Sequence, residues 1–289
     1  MGTHGGYYIP SPSHWPLVGS VGLTTTLAGA ASWLHADWYG PYMFTIGLFI
    51  IFSMFFGWFG QVIYENEKGI YNMQVDHSFR WGMCWFIFSE VCFFGAFFGA
   101  LFAARYFIVP QLGGEIRPIT HLTLWPDFKA AWPLLTNPNN KTFVGAFESM
   151  EAWGLAAINT VILLTSGVTV TWAHWALKLN KRKQLVIGLL LTVLLGGVFL
   201  YLQSHEYYEA YTKMNLTLDA GIYGTTFFML TGFHGLHVTI GTIMLIVILI
   251  RSIVGHFTPE RHFAFEAVAW YWHFVDVVWL FLFVFVYWL

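Results

Sequence analysis

Long stretches with at most one charged residue recur along this chain, and each is long enough to cross a bilayer as a helix. The hydrocarbon core of a membrane takes about 20 apolar residues of α-helix, because lipid offers no partners to free backbone N–H and C=O groups. The sequence therefore predicts an all-α integral membrane protein with seven transmembrane helices. The predicted spans are 15–34, 42–63, 81–104, 153–177, 185–203, 221–250 and 267–289.

Composition and the missing motifs narrow the function. Charged residues make up 10% of the chain, against about 25% in a typical soluble domain. The net charge of −2 favours no nucleic-acid partner. Phosphate loops, cysteine clusters and nucleophile motifs are missing from the sequence, and no lysine follows Lys213 to carry a retinal Schiff base. We therefore expect no catalytic centre, metal or cofactor in this chain, and interpret it as a subunit that serves the chemistry of another.

A cluster of basic residues between the fourth and fifth spans predicts the orientation. Short loops rich in Lys and Arg stay in the cytoplasm. With seven spans, the N-terminus is then cytoplasmic and the C-terminus lies on the opposite side. The cluster consists of Lys178, Lys181, Arg182 and Lys183.

Two polar regions predict how the chain is organised. Residues 65–78 are predicted to be a cytoplasmic linker between a two-helix N-terminal part, 15–64, and a five-helix bundle, 79–289. A Pro-rich loop over about 106–150 is too long for a simple connection, so we expect it to pack on the outer surface. The linker contains four candidates for collecting protons for a neighbouring channel, namely Glu65, Glu67, Asp76 and His77.

Glu90 is the only charged residue of the third predicted span and lies about halfway along it. A charged side chain at membrane depth is costly, so an intramembrane carboxyl indicates a functional site with a polar partner. One interpretation is a carboxyl that takes part in proton transfer or in lipid or partner contact. The other is a neutral acid that is hydrogen-bonded between helices.

His234 and His237 are spaced i, i+3 in the sixth predicted span. This spacing could place two metal ligands on one helix face. The segment offers no third ligand, however, and the neighbouring glycines are typical of close helix packing. We therefore interpret both as packing histidines.

Polar residues within or beside the other spans have more than one interpretation. Asp276 and His273 form either an intrachain pair or a contact with a neighbouring subunit, and Glu266 lies just before the last predicted span. His174 is interpreted as an interfacial cap at the end of the fourth span. A further polar group is interpreted as a solvated turn, with a cation site as the alternative, and consists of His205, Glu206, Glu209 and Asp219.

Several motifs match those of a known family. The most specific is WYWHFVDVVWL at 270–280, which follows FEA at 265–267. The segment from Arg80 to Phe94 is similar to a third helix with a buried carboxylate at Glu90. Together the motifs resemble subunit III of the haem–copper cytochrome c oxidases over most of the chain. Further matching segments are 15–17, 110–114, 166–168, 171–174, 221–224 and 231–237.

The resemblance implies a non-catalytic role. It implies a two-helix part and a five-helix bundle splayed into a V, with phospholipids in the cleft. It implies docking on subunit I, which carries haem and CuB, and the presence of subunit II, which carries CuA. The implied function is that of subunit III of an aa3-type cytochrome c oxidase, a proton pump that reduces oxygen to water. Subunit III stabilises subunit I, supports proton uptake, binds phospholipid and guides oxygen. The candidates for lipid or subunit contact are Arg80, His174, His234, His237, Glu266, His273 and Asp276.

Three alternatives remain at this point: subunit III of a quinol oxidase, a stand-alone proton-coupled transporter that uses Glu90, and a passive lipid-binding scaffold. The outer loop is longer around 137–151 than in mitochondrial relatives, which favours a bacterial cytoplasmic membrane with a periplasmic C-terminus. The chain also departs from the family, which often has a histidine pair at the positions of Ile70 and Tyr71 and a histidine at Trp175.

Overall fold

The computed structural model describes residues 12–116 and 118–289. The predicted cytoplasmic N-terminus lies outside these residues. All regular secondary structure of the described residues is helical, and seven of their helices are long and apolar enough to cross a membrane. The predicted all-α fold with seven spans is therefore confirmed.

The helices follow the predicted order. The first two are α1 (Trp15–Leu34) and α2 (Gly40–Glu67). The third span is α3 (Met73–Ala103), which continues through a π-helical turn, Ala104–Ile108, into α4 (Val109–Leu112). The others are the short α5 (Pro118–Leu124), α6 (Ala157–Lys178), α7 (Arg182–Lys213), α8 (Ile222–Val254) and α9 (Phe263–Leu282). A π-helical turn at Ala152–Ala156 precedes α6, and another at Phe283–Trp288 follows α9.

Most observed helices are longer than the predicted spans. Bilayer thickness sets the length of the apolar window, but a helix continues beyond it as long as its backbone bonds are made. Helix α7 accordingly runs from Arg182 to Lys213, beyond the predicted 185–203. The polar stretch 65–78 is also mostly helical, since α2 ends at Glu67 and α3 begins at Met73. Only residues 68–72 connect these two helices without regular structure.

The described chain forms two compact units, divided between Phe79 and Arg80. In the first unit, α1 and α2 pack with their backbones in close contact. A Cβ atom built on Gly29 would lie 2.3 Å from the backbone nitrogen of Phe44, and one on Gly47 would lie 2.4 Å from that of Thr26. Small residues that allow this approach are the usual basis of helix association in lipid.

In the second unit, helices α6 to α9 surround large buried aromatic side chains. Trp272 and Trp279 of α9 are both fully buried. The Trp272 Nε1–H donates to Ser166 Oγ at 2.8 Å, and the Trp279 Nε1–H donates to Thr160 Oγ1 at 2.9 Å. Each buried indole N–H thus has the partner that it requires in an apolar interior.

The long loop after α4 packs into the core of the second unit. Phe128 and Leu134 are buried in its core. Asn137 is also buried, and its Nδ2 donates to the carbonyl of Ala220 at 3.1 Å. The loop is therefore packed and ordered as part of this unit, as expected for a connection of this length.

Candidate functional site

The carboxyl of Glu90 has its partner on another helix. Glu90 lies in the middle of α3, and its Oε2 is 2.8 Å from Nε2 of His237 on α8. The two side chains are 20% and 12% exposed. A carboxyl group at membrane depth is thus paired with the polar group that its position requires.

The hydrogen bonds of His237 limit where its protons lie. Its Nδ1 is 2.7 Å from the carbonyl oxygen of Phe233. A carbonyl only accepts hydrogen bonds, so Nδ1 carries a proton and donates it. One further proton then lies between Nε2 and the Glu90 carboxyl. The pair is either a neutral acid beside a neutral imidazole or a carboxylate beside an imidazolium, and the movement of one proton interconverts them.

Aromatic side chains surround the Glu90–His237 pair. The ring of Phe94 meets that of His237 edge-on at 5.0 Å, and the ring of Tyr271 stacks on it at 6.4 Å. Phe93 and Phe233 pack against each other at 5.1 Å beside the pair. Such surroundings contain few groups that could compete for the shared proton, so the hydrogen bond between the two residues is strengthened.

A second polar link joins α3 to α9. Arg80 Nη2 donates to Glu266 Oε2 at 2.7 Å, and the Arg80 guanidinium lies over the ring of Phe263 at 5.3 Å. Arg80 is about 15 Å from Glu90 along the helix. Helix α3 is therefore bound to its neighbours at two depths.

The two histidines of the sixth span have different partners. His234 is fully buried, and its Nε2–H donates to the carbonyl of Val275 at 3.1 Å. Its ring packs against Trp279 at 5.1 Å. Groups of three or more His, Cys, Asp or Glu that could hold a metal ion are not found in residues 12–116 and 118–289.

Asp276 and His273 lie near each other without a hydrogen bond. His273 Nδ1 is 4.0 Å from Asp276 Oδ2, whereas His273 Nε2 is 3.1 Å from Thr171 Oγ1 of α6. Asp276 is only 6% exposed. Its Oδ1 has no hydrogen-bond partner among the described residues.

The family of the chain follows from comparison with known proteins. The family model for cytochrome c oxidase subunit III matches residues 5–136 and 123–289. Proteins named cytochrome c oxidase subunit 3 from Oncorhynchus clarkii and Carassius auratus are 42% identical to the chain over 283 residues, and that from Formosania lacustris is 43% identical. Each comparison covers 98% of this chain and 96% of the relative.

This chain belongs to the cytochrome c oxidase subunit III family. The resemblance read from the motifs is confirmed. Membership makes the chain a subunit of an oxidoreductase complex and implies other oxidase subunits as partners.

His174 lies beside a further histidine, His262. Its ring is 5.4 Å from that of His262 and 5.3 Å from that of Phe265. His174 Nε2 and His262 Nδ1 are buried and have no hydrogen-bond partner among the described residues. Its interpretation as an interfacial cap stays a prediction.

The four proton-collecting candidates lie in the first unit. Glu65 accepts hydrogen bonds from the Tyr71 hydroxyl at 2.6 Å and from Gln61 Nε2 at 2.8 Å. Gln61 in turn accepts one from Trp15 Nε1 at 2.8 Å. Of the other candidates, Glu67 and His77 are exposed and Asp76 is half-buried.

Glu206 is a residue whose environment was predicted wrongly. The prediction that it belongs to a solvated turn is wrong, since it lies within α7 and is 1% exposed. Its Oε2 accepts a hydrogen bond from the Tyr287 hydroxyl at 3.1 Å. Helical periodicity carried the signal: Phe199, Gln203, Glu206 and Ala210 recur at intervals of three and four residues on the buried face of α7.

Proposed function

We propose that this chain is the non-catalytic third subunit of an aa3-type cytochrome c oxidase in a bacterial cytoplasmic membrane. Its neighbours are subunit I, which carries haem and CuB, and subunit II, which carries CuA. The chain has its C-terminus in the periplasm. Its own role is to stabilise subunit I and to support proton uptake during oxygen reduction.

The observation that carries the proposed supporting role is the hydrogen bond between Glu90 and His237. It joins α3 to α8 near the middle of the membrane and holds one proton between two ionisable groups. Moving that proton from one group to the other changes the local charge distribution but leaves the net charge of the pair unchanged. Such a pair supports a neighbour by holding α3 and α8 in register without adding net charge to the bilayer.

The exposed inner residues support the proton-uptake part of the proposal. Glu67 and His77 are exposed near the ends of α2 and α3. Acidic and histidine side chains on a surface raise the local availability of protons. We assign this collecting role to the stretch that also contains Glu65 and Asp76.

Apolar surface supports the proposed contacts with phospholipid and oxygen. Helix α2 exposes Phe49, Phe52, Phe56 and Phe59, each by more than half of its surface. Phenylalanine side chains that face out of a membrane helix contact acyl chains. Oxygen is apolar and partitions into the same layer, from which it reaches subunit I.

The first test is purification of the complex in its native membrane. The proposal expects this chain to co-purify with polypeptides that show the optical spectra of haem and contain copper. Activity with reduced cytochrome c, but not with quinol, separates the proposed oxidase from the quinol-oxidizing branch. Isolation of the chain as a solitary, active proton-coupled permease would contradict the proposal.

The second test is Glu90→Gln in that complex, with Ser89→Ala as the matched control on the exposed side of the same helix. We expect the Gln variant to shorten the period over which the oxidase stays active during turnover. A loss of protons pumped per electron would place Glu90 in proton transfer itself. Unchanged lifetime, pumping and assembly would leave a passive scaffold as the function.

A further inference from the structure

Helices α6 and α7 run antiparallel and bring two buried amides to the same level of the second unit. Their register is defined by a contact between Thr169 and Thr192, whose Oγ1 atoms are 2.7 Å apart. Asn159 lies ten residues before Thr169 on α6, and Gln203 lies eleven residues after Thr192 on α7. Both displacements are about 15–17 Å in the same direction along the helix pair. Asn159 and Gln203 therefore lie at one level, in the half of the unit where α7 ends.

Three side chains at this level carry polar atoms without a hydrogen-bond partner among the described residues. Asn159 lacks a partner at both Nδ2 and Oδ1. Gln203 Nε2 donates to the carbonyl of Thr231 at 3.1 Å, but its Oε1 has no partner. Glu206 lies one turn beyond Gln203 on the same helix face, and only its Oε2 has a partner, the Tyr287 hydroxyl. We call Asn159, Gln203 and Glu206 the Asn159–Glu206 cluster.

The cluster is closed to lipid and to any partner helix, since its three residues are at most 4% exposed. A nearby buried donor is already engaged, because Trp279 Nε1 donates to Thr160 Oγ1. Buried amides and carboxyls without hydrogen bonds are costly. The structure therefore requires a small molecule that enters the interior and pairs with these groups.

The chemistry of the unpaired atoms selects water as that molecule. The three oxygens need donors, whereas Asn159 Nδ2 needs an acceptor. Water supplies both, and buried waters typically make about three hydrogen bonds to such groups. A metal cation would pair with the oxygens alone. Gly235 of α8 leaves room beside Gln203, since a Cβ atom there would lie 3.1 Å from Gln203 Oε1.

We infer that water molecules are bound inside the second unit at the Asn159–Glu206 cluster. They donate to Gln203 Oε1, Glu206 Oε1 and Asn159 Oδ1, and they accept a hydrogen bond from Asn159 Nδ2. The bound water keeps the Glu206 carboxyl solvated where lipid is excluded. This site goes beyond the proposed function and does not depend on it.

The direct test is X-ray hydroxyl-radical footprinting of the natively purified complex. X-rays convert bound water into hydroxyl radicals, which oxidise the side chains beside it. We expect Tyr287, which bonds Glu206, to be oxidised several times faster than Trp272. Both are buried, and an indole reacts with these radicals as readily as a phenol, so only nearby water gives this order. Oxidation of Tyr287 no faster than that of Trp272 would overturn the inference.

Asn159→Leu tests whether the water belongs to the cluster. Leucine has a similar volume but no polar group, so we expect oxidation of Tyr287 to fall to the level of Trp272. Thr192→Val is the matched control, because Thr192 is fully buried in the same helix pair and already bonds Thr169. We expect it to leave the oxidation of Tyr287 unchanged. Persistent oxidation in Asn159→Leu, or an equal fall in both variants, would contradict the proposed site.

The stability of Asn159→Leu gives an independent readout. In a dry cluster the substitution would remove two unpaired groups and stabilise the protein. In a hydrated cluster it displaces water that Gln203 and Glu206 need. We then expect the folding equilibrium constant, measured by SDS titration in mixed micelles, to fall about tenfold. A rise in that constant would show that the cluster is dry.

A sodium ion is the competing occupant, and equilibrium dialysis of the complex against radioactive sodium tests it. We expect wild type and Glu206→Gln to bind the same amount of sodium. A sodium site that Glu206→Gln abolishes would overturn the assignment to water. None of these outcomes depends on which polypeptides co-purify with the chain, so failure of the water site would leave the proposed function standing.

Discussion

The two units of this chain hold their helices together by different means. In the first, α1 and α2 meet through glycines whose missing side chains let the backbones touch, as at Gly29 and Gly47. In the second, large aromatic side chains fill the interior, and hydrogen bonds between helices join polar groups such as Trp272 and Ser166.

This difference shows which of the two units can hold ionisable side chains in its interior. Lipid is as apolar as a leucine side chain, so helices in a membrane associate through close packing or through polar contacts rather than through apolar burial alone. Where the two backbones touch, at Gly29 and Gly47, no space is left for an ionisable side chain. The second unit has the space, and Glu90, Glu206 and Asp276 lie within it.

The largest expected effect comes from breaking the close packing in the first unit. Leucine at Gly29 would force its side chain into the backbone of α2 near Phe44, which we expect to lower the free energy of unfolding by about 3 kcal/mol. The measurement is an SDS titration of the purified protein in mixed micelles, followed by tryptophan fluorescence. Gly60→Leu is the control, since among the described residues no atom beyond its own stretch of helix lies within 4 Å of a Cβ there. Equal stability of the two variants would show that the pair does not depend on backbone contact.

A smaller effect is expected from removing one buried hydrogen bond in the second unit. Ser166→Ala leaves the Nε1–H of the fully buried Trp272 without its acceptor, at a cost of about 2 kcal/mol in the free energy of unfolding. Ser89→Ala is the control, because Ser89 is exposed and bonds only the carbonyl of Phe86 in its own helix. The same SDS titration compares them. A loss at Ser89 as large as at Ser166 would argue against side-chain hydrogen bonds as the basis of this unit.

The contribution of the Glu90–His237 pair is expected to be about 1 kcal/mol of coupling free energy, as for hydrogen bonds between other membrane helices. The two single variants Glu90→Gln and His237→Leu, together with the double variant, form the thermodynamic cycle. Additive effects of the single variants would mean that the hydrogen bond adds no stability. The pair would then matter only through the proton that it holds.

The smallest effect is expected for the hydrogen-bonded side chains of Trp15, Gln61 and Glu65 in the first unit. Gln61→Leu removes the group that links Trp15 to Glu65, and we expect a loss of about 0.5 kcal/mol because water can replace hydrogen bonds this close to the surface. Thr45→Val, which loses only a bond to the carbonyl of Pro41 in its own helix, is the control. A loss as large as that of Ser166→Ala would remove the contrast between the two units.

Much of the fold was predictable because the bilayer imposes a simple rule on the sequence. The observed α1 has the predicted bounds, and the other spans differ mainly by extra turns beyond the bilayer. The helical periodicity of the sequence continues past Gln203 and places Glu206 on the buried face of α7. The predicted solvated turn is wrong because a glutamate need not be exposed: Glu206 lies on the buried face of α7 and has a hydrogen-bond partner there.

The sequence by itself determined the seven spans, the family and the presence of a carboxyl at mid-membrane depth. The tertiary structure decided which groups meet: Glu90 with His237, 147 residues apart, and Arg80 with Glu266, 186 residues apart. It also decided that His234 and His237 serve different partners although they share a helix turn. Hydropathy is a property of one segment and its solvent, so a sequence displays it directly. A hydrogen bond between helices depends on how two segments rotate and tilt against each other, which only the packed structure specifies.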